Sequence, residues 1–213
     1  MRLSIVALVS ASLALGACQQ NAASVSPATG TQAVATTAGP APAGFECPRP
    51  GTAIGFATNT RVYRGADPAD PFICLFDTQG TGAATSGRLL GNFTSMPTTD
   101  DAAIRRGLFQ LWPLTAGKRF SYSHAGRGGS GATFTLQHDI RVIGPRRMQI
   151  AGAEREVIVI ENDRHDPNWT GYFVTWTFFY DPESRVVLGG DIAVIRGQDR
   201  TPSWRVTSVS IPR

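Results

Sequence analysis

Thr170-Gly171-Tyr172-Phe173-Val174-Thr175-Trp176-Thr177-Phe178-Phe179-Tyr180 is the stretch from which the fold can be read. Tyr172, Val174, Trp176, Phe178 and Tyr180 recur at every second position, with Thr175 and Thr177 among the residues between them. A period of two sends alternate side chains to opposite faces, which is strand geometry. Residues 132–143 repeat the pattern. There Phe134, Leu136, His138, Ile140 and Val142 share one face, and Thr133, Thr135, Gln137, Asp139 and Arg141 the other. Phe120 and Tyr122 likewise alternate with Arg119, Ser121 and Ser123.

Outward from these, the segments 155–161, 185–196 and 203–211 are rich in Val, Ile and Thr, and 53–64 and 71–77 also read as strands. Ala151-Gly152-Ala153, Asp181-Pro182-Glu183-Ser184 and Gly197-Gln198-Asp199 mark turns between them. Such short connections leave no room for parallel crossovers, so the strands must run antiparallel. One helix is expected: Thr98-Thr99-Asp100-Asp101 offers a cap and negative charge at its start. Ile104, Leu108 and Leu111 follow at helical spacing, and Pro113 ends it. The expected fold is mainly β. It is an antiparallel curved sheet or partial barrel, apolar on one face and polar on the other, with one short α-helix.

The composition sets outer bounds. At 213 residues, 42% hydrophobic and with a net charge of +4, the chain is too apolar and too weakly charged for full-length disorder. No apolar run reaches the roughly 20 residues of a membrane-spanning helix. Of the 20 basic residues only Lys118 is a lysine, and the arginines are scattered rather than clustered, which disfavours a nucleic-acid partner.

The N-terminus reads as an address. Arg2 precedes an apolar run from Leu3 to Leu15, of signal-peptide length, and the run ends in Leu15-Gly16-Ala17-Cys18. This resembles the lipobox of bacterial lipoprotein precursors at all four motif positions. The resemblance implies that residues 1–17 are a signal peptide cut before Cys18. The Cys18 thiol then takes a diacylglycerol and the new amine a further acyl chain such as palmitate. At about 0.8 kcal/mol per buried methylene, two or three chains hold a protein on a membrane durably. Gln19, where retained lipoproteins often carry Asp, implies sorting to the outer membrane of a Gram-negative cell, with the domain in the periplasm.

Residues 19–44 carry no charge and no large hydrophobe beyond Val25 and Val34, so lipidated Cys18 and this stretch together (18–44) read as a flexible tether. Its mean reach as a coil is on the order of 30 Å. Residues 45–213 then form one β domain. Cys47 and Cys74, the cysteines left after Cys18, read as a disulfide in an exported domain. The closed loop of about 28 residues would stabilise by roughly 3.5 kcal/mol. The rival is a redox or metal pair, for which there is no Cys-x-x-Cys and no nearby histidine.

A second resemblance is carried by Pro113-Leu114-Thr115-Ala116-Gly117-Lys118 before the aromatic strand Phe120–Tyr122, and by Tyr180-Asp181-Pro182 near the end of a meander. Residues 108–196 are similar to uncharacterised exported bacterial proteins with a Pro-Leu-x-x-Gly-Lys opening. That likeness implies an antiparallel sheet and brings no activity with it.

Motifs for chemistry are weak. Gly126-Arg127-Gly128-Gly129-Ser130-Gly131 fits G-x-G-x-x-G, but strand sequence follows it where a phosphate site needs a helix, so it reads as a hairpin loop. His138 on an apolar strand face reads as a core histidine. Asp163-Arg164-His165-Asp166-Pro167-Asn168 reads as an exposed loop. There is no second ligand at metal spacing beside His165 and no Gly-x-Ser-x-Gly elbow. Neither a metal, a cofactor nor a catalytic set is expected. The first reading of function is a non-catalytic envelope protein, anchored to the membrane by lipid, that packs or binds an apolar molecule or another envelope protein. Trp112, Tyr122, Tyr172, Trp176 and Tyr180 are the candidate apolar binding face, unless they simply form the core. Behind it stand a lipid or lipoprotein carrier or assembly receptor with an apolar half-barrel cavity, and then an envelope hydrolase.

Overall fold

The computed structural model describes residues 44–80, 85–89, 102–127 and 133–213. Its strands form two antiparallel sheets, neither closed, and one α-helix stands among the described residues. The helix residues read as its cap, Thr98–Asp101, lie outside the described residues, as do Cys18 and the tether.

The first sheet holds β1 (Ala53–Gly55), β2 (Thr60–Asp67), β3 (Asp70–Gln79), β4 (Ser86–Leu89) and β11 (Ser208–Ser210), in the order β11-β1-β2-β3-β4. The stretch 53–64, read as one strand, breaks between β1 and β2, where Phe56 N–H bonds the Asn59 carbonyl at 2.7 Å. The second sheet runs β10-β9-β8-β7-β6-β5. These are β5 (Arg119–Arg127), β6 (Thr133–Ile150), β7 (Ala153–Asp166), β8 (Trp169–Asp181), β9 (Val186–Arg196) and β10 (Trp204–Arg205). Residues 203–211, also read as one strand, pass from the second sheet at β10 to the first at β11. Strand propensity along the chain is blind to which sheet a residue joins.

The β6–β7 hairpin turns on two residues. Ala151 (φ 53°) and Gly152 (φ 76°) both take positive φ, the mirror-image turn whose twist matches the strands. The glycine-rich stretch links β5 to β6, whose ends pair Arg127 with Thr133; residues 128–132 lie outside the described residues.

The helix α1 (Ala102–Gln110) buries Ile104, Gly107 and Leu108. Gly107 sits so close to the Phe120 ring that a Cβ there would collide with it. The chain's one lysine closes the helix end: Lys118 Nζ donates to the carbonyls of Gln110 (3.1 Å) and Trp112 (2.9 Å). Carbonyls of a last turn lack helical partners, and an ammonium supplies them.

The core joins both sheets and the helix. Ile54, Tyr63, Phe72 and Phe76 from the first sheet meet Val142, Ile160, Phe178 and Leu188 from the second, with Leu108 and Leu111 between. Cys47 and Cys74 form a disulfide, Cys74 being wholly buried. Expected as polar on one face throughout, the second sheet is so only in part. Phe178, Phe179, Tyr180 and Asp181 are buried in succession, as is Val186 through Gly190, so both faces are covered at that end. Trp112 meets Tyr180 edge-on on one side, and the Arg205 guanidinium lies over Phe179 on the other.

Candidate functional site

Pairing register places the side chains of the second sheet in rows. Tyr122, His138, Arg164, Val174 and Val194 stand opposite one another across β5, β6, β7, β8 and β9. Phe120, Ile140, Asn162, Trp176 and Ile192 form the neighbouring row on the same face. The opposite face is a hydrogen-bonded polar surface. Arg141 reaches Glu161 (2.7 Å) and Asp163 (2.8 Å), Thr175 Oγ1 donates to Asp163 (2.6 Å), and Ser123, Gln137 and Asp139 continue the chain.

The inner rows carry polar groups in a setting that an apolar core avoids. His138 is wholly buried, and its ring stacks on Tyr122 with centroids 4.5 Å apart and planes 3° from parallel. His124 stands 5.0 Å from His138 and 6.4 Å from Tyr122. Asn162, 1% exposed, donates from Nδ2 to His138 Nδ1 across 3.1 Å. Burial pushes the His138 pKa down to about 3, helped by the Arg164 charge and by His124. The ring is therefore neutral, with its proton on Nε2. Burial likewise raises the Tyr122 hydroxyl to about 12 and lowers His124. Arg164 lies over the Trp176 ring at 4.7 Å.

Five solvent-shielded polar atoms here have no hydrogen-bond partner among the described residues: His124 Nδ1, His138 Nε2, Asn162 Oδ1, Arg164 Nε and Trp176 Nε1. Most buried polar groups in folded proteins are paired, so such a concentration needs a reason. Beside it opens a cavity of about 320 Å³, lined by Phe134, Leu136, Arg164, Asp166, Trp169 and Tyr172. Gly171 lets the Trp169 indole lie flat against β8, since a Cβ there would strike the ring.

The five candidate aromatics fall into two groups. Trp112, Tyr122 and Tyr180, 5%, 7% and 6% exposed, belong to the core, where Trp112 and Tyr180 lie beside Phe45 and also line a second hollow of about 310 Å³. Half-buried Trp176 packs against that core, and of the five Tyr172 lines the cavity, where its hydroxyl reaches Asp199 at 3.4 Å. The stretch read as an exposed loop, Asp163–Asn168, is strand up to Asp166, with only Pro167 and Asn168 in the turn. Ladder bonds to β6 and β8 outweigh the turn preference of its acids. His165, at its centre, is half-buried against Phe173, 3.7 Å from Asp139. Arg164 and Asn162 were thereby missed, although Ile158, Ile160, Asn162 and Arg164 keep the period of two.

Among the described residues, no three His, Cys, Asp or Glu side chains stand together as a metal site. The Arg164 charge that opposes protons on His124 and His138 opposes a cation there equally. No family model matches the chain, and no curated protein matches it. Among solved structures it is similar to the hypothetical lipoprotein YmcC from Escherichia coli, at 13% identity and a TM-score of 0.39, over 68% of this chain and 79% of that one. A likeness of that degree carries no argument about function, which rests on the site itself.

Proposed function

We propose that this chain is a lipid-anchored envelope protein whose β domain is a non-catalytic binding module, acylated at Cys18 and sorted to the outer membrane with the domain in the periplasm. The observation that carries the binding role is the cavity of about 320 Å³ at the end of the second sheet, lined by Arg164, whose shielded Nε has no partner among the described residues. Small-molecule sites combine an apolar lining with a few convergent polar groups, and this one does both. A binding role suits the site better than catalysis. Among the described residues neither His124 nor His138 hydrogen-bonds a carboxylate, and the buried Ser184 hydroxyl is held by Asp181 at 2.7 Å. A lipid or lipoprotein carrier is the second reading, favoured by the aromatic and leucine lining of the same cavity.

Two experiments test this. Cys18→Ser should abolish incorporation of labelled palmitate and release the chain from membranes; label entering the variant would refute the anchor. The neutral fluorescent probe N-phenyl-1-naphthylamine should bind the full chain saturably. Phe134→Ala and Trp169→Ala, at residues 38% and 60% exposed, should weaken it with little loss of stability. Probe binding that ignores both substitutions would place the binding face elsewhere.

A further inference from the structure

The lining of the cavity is asymmetric. Phe134, Leu136, Trp169 and Tyr172 supply its apolar walls, and Arg164 and Asp166 its two charges. The Asp166 carboxylate is already engaged, its Oδ1 accepting the Asn168 backbone N–H at 2.8 Å. Nearby Asp199 accepts from the Thr201 backbone N–H at 2.9 Å and from Tyr172. Arg164 has no such partner. It forms no ion pair among the described residues, and its shielded Nε lacks an acceptor. The Trp176 ring beneath it holds the guanidinium through its electron-rich face without neutralising it. His138 and His124 beside it offer no negative charge, and Asp199, the carboxylate whose pKa the Arg164 charge helps to lower, forms no ion pair with it among the described residues. Half-buried and outside any ion pair among the described residues, this guanidinium presents a planar fork of donors matched to an oxyanion.

We propose that this cavity takes an amphipathic organic anion, its apolar body against Phe134, Leu136, Trp169 and Tyr172 and its carboxylate on Arg164, an assignment that rests on the binding-module reading above. Size narrows the class. A dry cavity of about 150 Å³ admits one benzene molecule. The cavity of about 320 Å³ therefore takes roughly a dozen non-hydrogen atoms, the bulk of a medium-chain carboxylate.

The test is calorimetric titration of the full chain in nanodiscs, with empty nanodiscs subtracted. Decanoate, decan-1-ol and decyltrimethylammonium share one chain and differ in charge. Decanoate should bind at least tenfold more tightly than the other two. Arg164→Gln should bring it down to the level of decanol while the melting temperature stays within a few degrees, and Arg164→Lys should restore part of the preference. Equal affinity for all three, or a preference for the cation, would overturn the anion assignment and leave the binding module standing. Saturable binding of none would overturn both. Retained decanoate preference in Arg164→Gln would refute the role of Arg164. If that variant does not fold, the three-ligand comparison on the unaltered chain decides.

Discussion

Replacing His138 by Gln should flatten the acid dependence of stability. His138 is wholly buried, and its folded-state pKa is lowered to about 3 by burial first, then by Arg164 and His124, from an ordinary 6.5. The unfolded chain therefore binds a proton between these values that the native protein refuses. Stability rises with pH in that window and falls on acidification. Relative to pH 7, one such group costs about 2 kcal/mol at pH 5, approaching 1.4 kcal/mol per further pH unit. The window from pH 7 to 5 is chosen because Asp77, Asp139 and Asp199, all lowered from an ordinary 3.8, lose their share of stability only below it. His124 shifts in the same direction but is present in both proteins. Gln keeps a polar partner for Asn162 Nδ2 and removes the titration. The assay is urea unfolding of both proteins at pH 7, 6 and 5. The unaltered chain should lose about 2 kcal/mol more than His138→Gln over that range. Parallel losses, or a native His138 resonance titrating near 6.5, would refute the buried neutral histidine.

Asp181 is 2% exposed and accepts from Ser184 Oγ (2.7 Å), the Glu183 N–H (3.2 Å) and Arg155 (3.1 Å). Asp181→Asn should therefore cost about 3 kcal/mol in denaturant melts, much of it shared with Arg155 in a double-mutant cycle. Gly107→Ala gains about 1 kcal/mol of helix propensity. It nevertheless drives a methyl into the Phe120 ring, so a net loss of about 1–3 kcal/mol is expected. A rise in melting temperature would show that α1 does not pack on β5. Trp176→Ala, at a half-buried ring over which Arg164 stacks, should cost about 2–3 kcal/mol, below the figure for full burial. Thr175→Ala on the opposite face loses one bond to Asp163 and should cost about 1 kcal/mol. Equal losses would deny that the strand has two different faces.

Strand alternation is a local property, which is why the β class and antiparallel meander were legible from residues 132–143 and 170–180 alone. Inward and outward positions follow from the period of two wherever one face meets water, as with Thr175 and Trp176. The pairing of Cys47 with Cys74 was legible for a different reason: composition and compartment left one combination. What local pattern cannot contain is the partner across space. Nothing in 203–211 says that Trp204 joins one sheet and Val209 the other. Nothing in Val186–Gly190 says that both faces of the strand are covered. Tyr172 lines the cavity while Tyr180 joins the core because residues in phase on one strand lie many ångströms apart along it, so one end meets the core and the other the cavity. The site itself was hidden by the same logic. Asp163–Asn168 is turn-forming taken alone, and only its ladder with β6 and β8 extends the strand far enough to carry Arg164 over Trp176 and beside His138. Burial without a partner is a property of three dimensions, and the sequence by itself has no means to state it.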